Sequence, residues 1–90
     1  MTNPAVLIKG EVRDARGRPA ALARVAFVDG PGPLQDVSML TGADGTFTLS
    51  APIPGVYTVA VYADDCAPLI TSVTATAGQA VRLQLTLQPA

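Results

Sequence analysis

The sequence contains no histidine and no tryptophan, and its only cysteine is Cys66. The absence of histidine removes the commonest general base, the commonest metal ligand and every Ser-His or Cys-His pair used in nucleophilic catalysis. One cysteine cannot form a disulfide within the chain, which fits a reducing compartment or a fold that needs no covalent staple. We therefore expect no catalytic residue, no cofactor and no bound metal, and hence no enzymatic activity.

Charge and aromatic residues are also scarce. Charged residues make up 14% of the 90-residue chain, aromatic residues make up 4%, and the formal net charge is −1. An average soluble chain carries about 25% charged residues. Without a basic surface the chain is not expected to bind nucleic acid. Hydrophobic residues are 49% of the sequence, so apolar area should remain outside the core for a protein partner, a homo-oligomer or a neighbouring domain.

Long apolar runs are missing as well. No stretch approaches the roughly 18 residues that a membrane-spanning helix needs. The opening residues, MTNPAVLIKGE, lack the basic segment and apolar run of a cleaved signal peptide. Localisation therefore stays open between the cytoplasm, export without a cleaved signal, and export with a leader already removed.

What the sequence does contain is alternation of apolar and polar residues between Gly, Pro and Asp turns. This pattern predicts an all-β fold of about seven strands in one domain spanning residues 1–90, arranged as an antiparallel Greek-key sandwich. The predicted strands are Val6–Arg13, Leu22–Val28, Val37–Thr41, Thr46–Ser50, Val56–Ala63, Leu69–Thr76 and Ala80–Gln88. The Asp-Gly pair at Gly42–Gly45 is typical of a hairpin turn.

The phase of the alternation also predicts a core. The residues expected to be almost fully buried are Phe47, Tyr57, Val59, Leu83 and Leu85. Gly10 in mid-strand predicts close approach of a neighbouring backbone or large side chain. The Tyr57 hydroxyl is expected to bond a backbone carbonyl near the turn at Pro54–Gly55.

The order of these elements resembles a known family. The matching motifs are I-x-G-x-V-x-D-x-x-G-x-P (Ile8–Pro19), A-x-V-x-F (Ala23–Phe27), T-x-x-D-G-x-F-x-L (Thr41–Leu49), P-G-x-Y-x-V-x-V (Pro54–Val61), Ala67-Pro68 and V-x-L-x-L-x-L (Val81–Leu87). Over about residues 6 to 88 the chain resembles the carboxypeptidase regulatory-like domain, a transthyretin-like (prealbumin-like) seven-stranded sandwich. The resemblance implies an accessory module that stabilises or presents another domain.

Two weaker site candidates lie in the loop Asp64–Pro68. Cys66 could be a reactive thiol or a lipidation point, but the adjacent carboxylates disfavour its thiolate, so a partly buried apolar role is favoured. Asp64 and Asp65 could hold a hard cation together with Asp29 or Asp36. Turn chemistry and solubility are the favoured explanation for them, since no calcium-loop motif is present.

The remaining candidate is a docking surface. Tyr62 is predicted to anchor an apolar patch with Ala60, Leu40 and Val28, because tyrosine is enriched at interface hot spots. We expect a non-enzymatic structural or protein–protein interaction module that binds a partner protein, or copies of itself, through an outer sheet face or edge. The alternative is a module that binds carbohydrate or another small ligand. Against that alternative, the chain has no tryptophan and two tyrosines, one of them expected in the core.

Overall fold

The computed structural model describes residues 5–32 and 38–90, which form seven β-strands. The strands are β1 (Val6–Arg13), β2 (Arg24–Asp29), β3 (Ser38–Leu40), β4 (Thr46–Ala51), β5 (Gly55–Tyr62), β6 (Leu69–Ala75) and β7 (Val81–Thr86). Within these residues there is no helix long and apolar enough to cross a membrane. The all-β prediction is confirmed. The strand limits were predicted to within two residues; Val37 and Asp36 lie outside the described residues.

The strands form two sheets, one of three strands in the order β4-β1-β7 and one of four in the order β3-β2-β5-β6. Only β2–β3 and β5–β6 are neighbours both in sequence and in a sheet. Every other connection carries the chain from one sheet to the other, which is the kind of crossing seen in Greek-key sandwiches. The inner faces of both sheets supply the core.

Two details of the predicted topology are wrong. The sandwich is not wholly antiparallel, because β1 pairs with β7 in parallel from Ile8↔Val81 to Arg13↔Thr86. Parallel neighbours require a long connection, and the five strands between β1 and β7 provide it. The turn at Gly42–Gly45 forms, with Gly45 at a φ of 76°. It does not close a hairpin, however, since β3 and β4 lie in different sheets.

The centre of the core follows the predicted alternation. Tyr57 and Val59 are fully buried, and Phe47 is 5% exposed. The Tyr57 hydroxyl donates to the Ile53 carbonyl at 2.6 Å and accepts from the Ile53 N–H at 3.2 Å. This confirms a buried tyrosine that is satisfied by the backbone beside the Pro-Gly turn, so Tyr57 needs no ligand to explain it.

Gly10 admits the close approach that its position predicted. It is the cross-strand partner of Phe47, and a Cβ added at Gly10 would lie 2.1 Å from Phe47 Cζ. The ring therefore covers the glycine backbone, and this contact ties β1 to β4 in the middle of the three-stranded sheet.

Leu83 and Leu85 are only partly buried, contrary to the prediction. They point inward on β7, but β7 is an edge strand that has a neighbour on one side only. Leu87, just beyond the strand, is 1% exposed. Its N–H donates to the Arg13 carbonyl at 2.8 Å, which holds the chain against the core past the end of the ladder.

Candidate functional site

The outer face of the four-stranded sheet and its margin carry five of the nine large apolar side chains that are exposed among the described residues. Strand register sets the outward residues in rows: Leu40–Arg24–Tyr62, Ser38–Ala26–Ala60–Ile70, Asp29–Thr58–Ser72 and Val56–Thr74. We call this surface the Tyr62 face. The apolar side chains on it or at its margin are Leu40 (59% exposed), Tyr62 (45%), Ile70 (62%), Val56 (58%) and Val28 (52%).

Arg24 lies in register between Leu40 on β3 and Tyr62 on β5. The ion pairs within residues 5–32 and 38–90 are Arg13–Glu11 and Arg18–Asp14, so no carboxylate of the described residues neutralises Arg24. An exposed guanidinium thus stands between two exposed apolar side chains. Arginine and tyrosine are the residue types most often found at interface hot spots.

Ala60 was predicted to be exposed on this patch, and that prediction is wrong. Its alternation along β5 does put it in phase with Tyr62, but its exposed fraction is 0%. Ala60 sits in a central strand between Ala26 and Ile70, and its single methyl group is covered by longer neighbours. Ala26 and Ala60 therefore form the floor of the Tyr62 face rather than part of its contact surface.

Val28 is exposed as predicted, but for a reason that the sequence did not reveal. The ladder between β2 and β5 advances from Phe27↔Val59 to Asp29↔Thr58, so β2 gains one residue against β5. Val28 is the extra residue of this bulge. Bulges bend a strand and re-aim its side chains, so Val28 belongs to the margin of the face.

Sequence reasoning missed Arg24, Val56 and Leu22. Arg24 and Val56 are each in phase with residues already assigned to the outer face, so alternation alone could have found them. Leu22 is 73% exposed and has a φ of 59°, an uncommon conformation for a bulky residue. Its N–H donates to the Thr41 carbonyl at 3.1 Å, which places Leu22 at the Leu40 end of the face.

A shallow polar depression occupies the outer face of the three-stranded sheet. Its volume is about 350 Å³, and its outward side chains form the rows Thr48–Lys9–Arg82 and Thr46–Glu11–Gln84. Glu11 pairs with Arg13 at 2.5 Å, whereas Lys9 and Arg82 have no ion-pair partner among the described residues. The depression offers hydrogen-bonding groups and positive charge, but no exposed aromatic ring lines it.

The loop after β5 does not assemble a metal site or pair its cysteine with another thiol. Cys66 is partly buried and forms no disulfide, and its backbone makes an isolated antiparallel β-bridge with Pro89. In the part of the chain that the structure describes, no three Cys, Asp or Glu side chains are grouped closely enough to hold a metal ion. Asp36, one of the four carboxylates considered for a cation, lies outside that part.

The carboxylates with lowered pKa values lie at turns. A backbone hydrogen bond from Arg18 lowers the pKa of Asp14, with help from the N–H of Arg16. The Thr46 hydroxyl and N–H lower the pKa of Asp44. Both carboxylates cap loops next to them in sequence, so these shifts reflect local structure and not acid–base chemistry.

Comparison with known proteins agrees with this architecture. This chain is similar to a chain in the crystal structure of a type II cohesin–X-dockerin complex from Acetivibrio cellulolyticus, which is an N-terminal interface mutant. The TM-score is 0.60 at 16% sequence identity, over 93% of this chain and 58% of that chain. This likeness shows the sandwich fold. None of the curated proteins searched matches the chain. The family model of the carboxypeptidase regulatory-like domain matches residues 7–88, and the chain therefore belongs to the carboxypeptidase regulatory-like domain family.

Proposed function

We propose that this domain is a non-enzymatic interaction module that binds a partner protein through the Tyr62 face. The observation that carries the proposal is the concentration of exposed apolar side chains on one sheet face, around a guanidinium that has no ion-pair partner among residues 5–32 and 38–90. The similar solved chain comes from a complex between a cohesin and an X-dockerin. That likeness makes binding a natural use of the fold.

The Tyr62 face also indicates the chemistry of its partner. The Arg24 guanidinium would bind a carboxylate of the partner, since these two groups form paired hydrogen bonds. Leu40 and Tyr62 on either side of Arg24 would contact apolar groups that flank this carboxylate. We infer a folded partner that presents an Asp or Glu within an apolar surface.

The proposal is tested by comparing binding of the wild type with Tyr62→Asp and Arg24→Glu. Thr48→Asp, on the outer face of the other sheet, is the matched control. A partner isolated with the wild type is identified, purified and titrated by calorimetry. Loss of a hot-spot side chain costs about 2 kcal/mol or more, so each face variant should weaken binding by at least about thirtyfold.

The control should bind as the wild type does. Equal binding by all four proteins would contradict the proposal, as would loss of binding in Thr48→Asp alone. Circular dichroism and melting curves of each variant establish that a loss of binding is not a loss of fold. All three substituted side chains are exposed, so melting temperatures should change little.

A second candidate function, binding of a small polar ligand, is favoured by the depression at Lys9 and Arg82. The uncompensated positive charge there suits an acidic saccharide better than a neutral one. Addition of galacturonate oligomers should shift the amide NMR signals of Lys9, Gly10 and Arg82, and neutral galactose oligomers should not. Absence of shifts with both would rule out this alternative and leave the Tyr62 face unaffected.

A further inference from the structure

Strand β6 is an open sheet edge: Pro68 precedes its first residue, but no protective feature lies within the strand itself. It is the last strand of the order β3-β2-β5-β6, and among the described residues it pairs with β5 alone. Its seven residues, LITSVTA, include no charge and no proline. The β5–β6 ladder runs without a bulge from Gly55↔Ala75 to Val61↔Leu69. Natural proteins normally blunt such edges with charge, proline, a bulge or short length, because unpaired backbone groups recruit another strand.

The other sheet edges are shorter than β6. β3 has three residues, too few for a long ladder. β7 carries Arg82 near its start. β4 is also uncharged and, like β6, has a proline next to it, but it has six residues against the seven of β6. β6 is thus the longest of the sheet edges and carries no charge, which singles it out for strand addition.

We propose that β6 pairs antiparallel with β6 of a second copy of this chain, with a two-fold axis passing through the Ser72 pair. This deepens the proposed function, on which it rests only in treating the domain as an interaction module. In that register Ile70 of each copy meets Thr74 of the other, Thr71 meets Val73, and Ser72 meets Ser72. No charged side chain of one copy lies opposite a charged side chain of the other, so no electrostatic repulsion opposes the pairing of the two β6 strands.

The phase of the side chains supports self-pairing in this register. Ile70, Ser72 and Thr74 belong to the outer face, and Val73 and Ala75 are buried on the inner face. Antiparallel pairing about Ser72 matches outer residues with outer residues and inner with inner. A shift by one residue would oppose the two faces. The paired sheets would form one continuous sheet with both copies of the Tyr62 face on the same side.

The sequence of β6 favours a second copy of this chain as the partner that pairs with this edge. Isologous contacts require a patch that complements itself, and a strand centred on one residue of the right phase meets that requirement. A partner of different sequence would be selected by charge or by pockets for alternate side chains, and β6 carries no charge. An edge contact buries less than the roughly 1,200 Å² of a standard interface, so we expect a weak, reversible dimer.

The test is a charge exchange at the two-fold axis, measured by analytical ultracentrifugation from low micromolar to near millimolar concentration. The wild type should shift from monomer to dimer as concentration rises. Ser72→Lys and Ser72→Glu each place like charges opposite one another and should weaken dimerisation by about tenfold or more. An equimolar mixture of the two variants should restore dimerisation, because opposite charges then meet.

Two controls separate this proposal from the Tyr62 face. Gln84→Lys, on β7, should dimerise as the wild type does. Tyr62→Asp should lose the partner protein but keep the dimer, whereas Ser72→Lys should lose the dimer but keep the partner protein. Each proposal can thus fail without the other. Ser72 is exposed, so both Ser72 variants should keep the fold, which their melting curves check.

Amide hydrogen exchange provides a second measurement that needs no substitution. Protection of β6 amides in the wild type should rise with protein concentration, while protection in β4 should stay constant. A wild type that remains monomeric at every concentration would overturn the proposal. So would Ser72 variants that dimerise as well as the wild type, or β6 protection that is independent of concentration.

Discussion

Thr41 has a buried hydroxyl side chain, at 1% exposed. Its hydroxyl donates to the Ala20 carbonyl at 2.6 Å and accepts from the Ala23 N–H at 2.9 Å. One side chain thus satisfies two backbone groups at the approach to β2. It fixes the end of β3 against the segment that positions Leu22 and Arg24.

Thr41→Val keeps the shape of this side chain but leaves both backbone groups without a partner. Each unsatisfied buried group costs about 1–3 kcal/mol, so we expect a loss in the free energy of unfolding of about 2–5 kcal/mol by urea denaturation. Thr41→Ser retains the hydroxyl and should lose much less. Similar stability for the Val and Ser variants would show that water replaces the hydroxyl.

The contact between Gly10 and Phe47 allows a paired test in the core. Gly10→Ala forces a methyl group into the Phe47 ring and should cost about 1–3 kcal/mol through overpacking. Phe47→Ala should cost about 3–5 kcal/mol through the cavity that it leaves. In a double-mutant cycle measured by urea denaturation, Gly10→Ala should cost much less in the Phe47→Leu background. Strict additivity would mean that the cost of Gly10→Ala does not come from contact with the Phe47 ring.

Strands differ in how much of their apolar face they bury, and β7 is the clearest case. Leu85 lies on an edge strand and is partly exposed, whereas Leu87 is tied to Arg13 and buried. Leu87→Ala should therefore cost about 2–5 kcal/mol of unfolding free energy, and Leu85→Ala clearly less. Thermal denaturation ranks the two variants. A larger loss of stability for Leu85→Ala than for Leu87→Ala would mean that the core ends within β7 and does not extend to Leu87.

The two aspartate-capped turns make stability depend on pH at the acid end. The pKa values of Asp14 and Asp44 are lowered in the folded protein, so each carboxylate adds stability above the unfolded-state pKa of about 3.9. This contribution is lost as pH falls through the folded pKa. The melting temperature should be level above pH of about 5 and fall below about pH 4.

Replacing both turn carboxylates isolates their share of that dependence. The double variant Asp14→Asn, Asp44→Asn should lower the melting temperature at neutral pH and flatten its decline in acid. Asp64→Asn is the matched control, because Asp64 accepts no hydrogen bond from the described residues. An acid slope that is unchanged in the double variant would assign acid sensitivity to other carboxylates.

Alternation predicted the element faces well and the depth of burial poorly. The limits of β1 and the inward residues of β4 and β5 follow from local sequence, because a period of two is a property of the strand itself. Burial also depends on neighbours. Ala60 is covered because its strand is central, and Leu85 is half-open because its strand is at an edge. Neither position can be read from one strand alone.

The exposed side chains of the Tyr62 face were predictable to the same extent. Leu40, Tyr62 and Val28 are exposed as expected, since phase and residue type suffice to suggest them. The row that sets Arg24 between Leu40 and Tyr62 exists only once β2 pairs with both β3 and β5. The register between strands that are distant in sequence cannot be read from either strand alone. The proposed carboxylate of the partner depends on this register, because it places Arg24 between Leu40 and Tyr62.

For the molecule as a whole, the first and last strands are direct neighbours. β1 and β7 cannot pair until the rest of the chain has been brought together, and contacts this distant in sequence slow folding. Stopped-flow refolding should therefore take milliseconds to seconds. Deletion of residues 80–90 should leave the remaining chain unfolded by circular dichroism, because β1 would lose a neighbour and the core would lose Leu87. Refolding in microseconds would contradict this prediction.

The parallel pairing of β1 and β7 also determines how the domain bears mechanical load. The chain enters β1 beside Val6 and leaves β7 beside Thr86, at opposite ends of their shared ladder. Tension applied across the domain would thus shear all the hydrogen bonds between Ile8↔Val81 and Arg13↔Thr86 together, rather than unzip them one after another. An accessory module strung between two larger bodies would then act as a stiff, force-resistant spacer that keeps the Tyr62 face intact under strain.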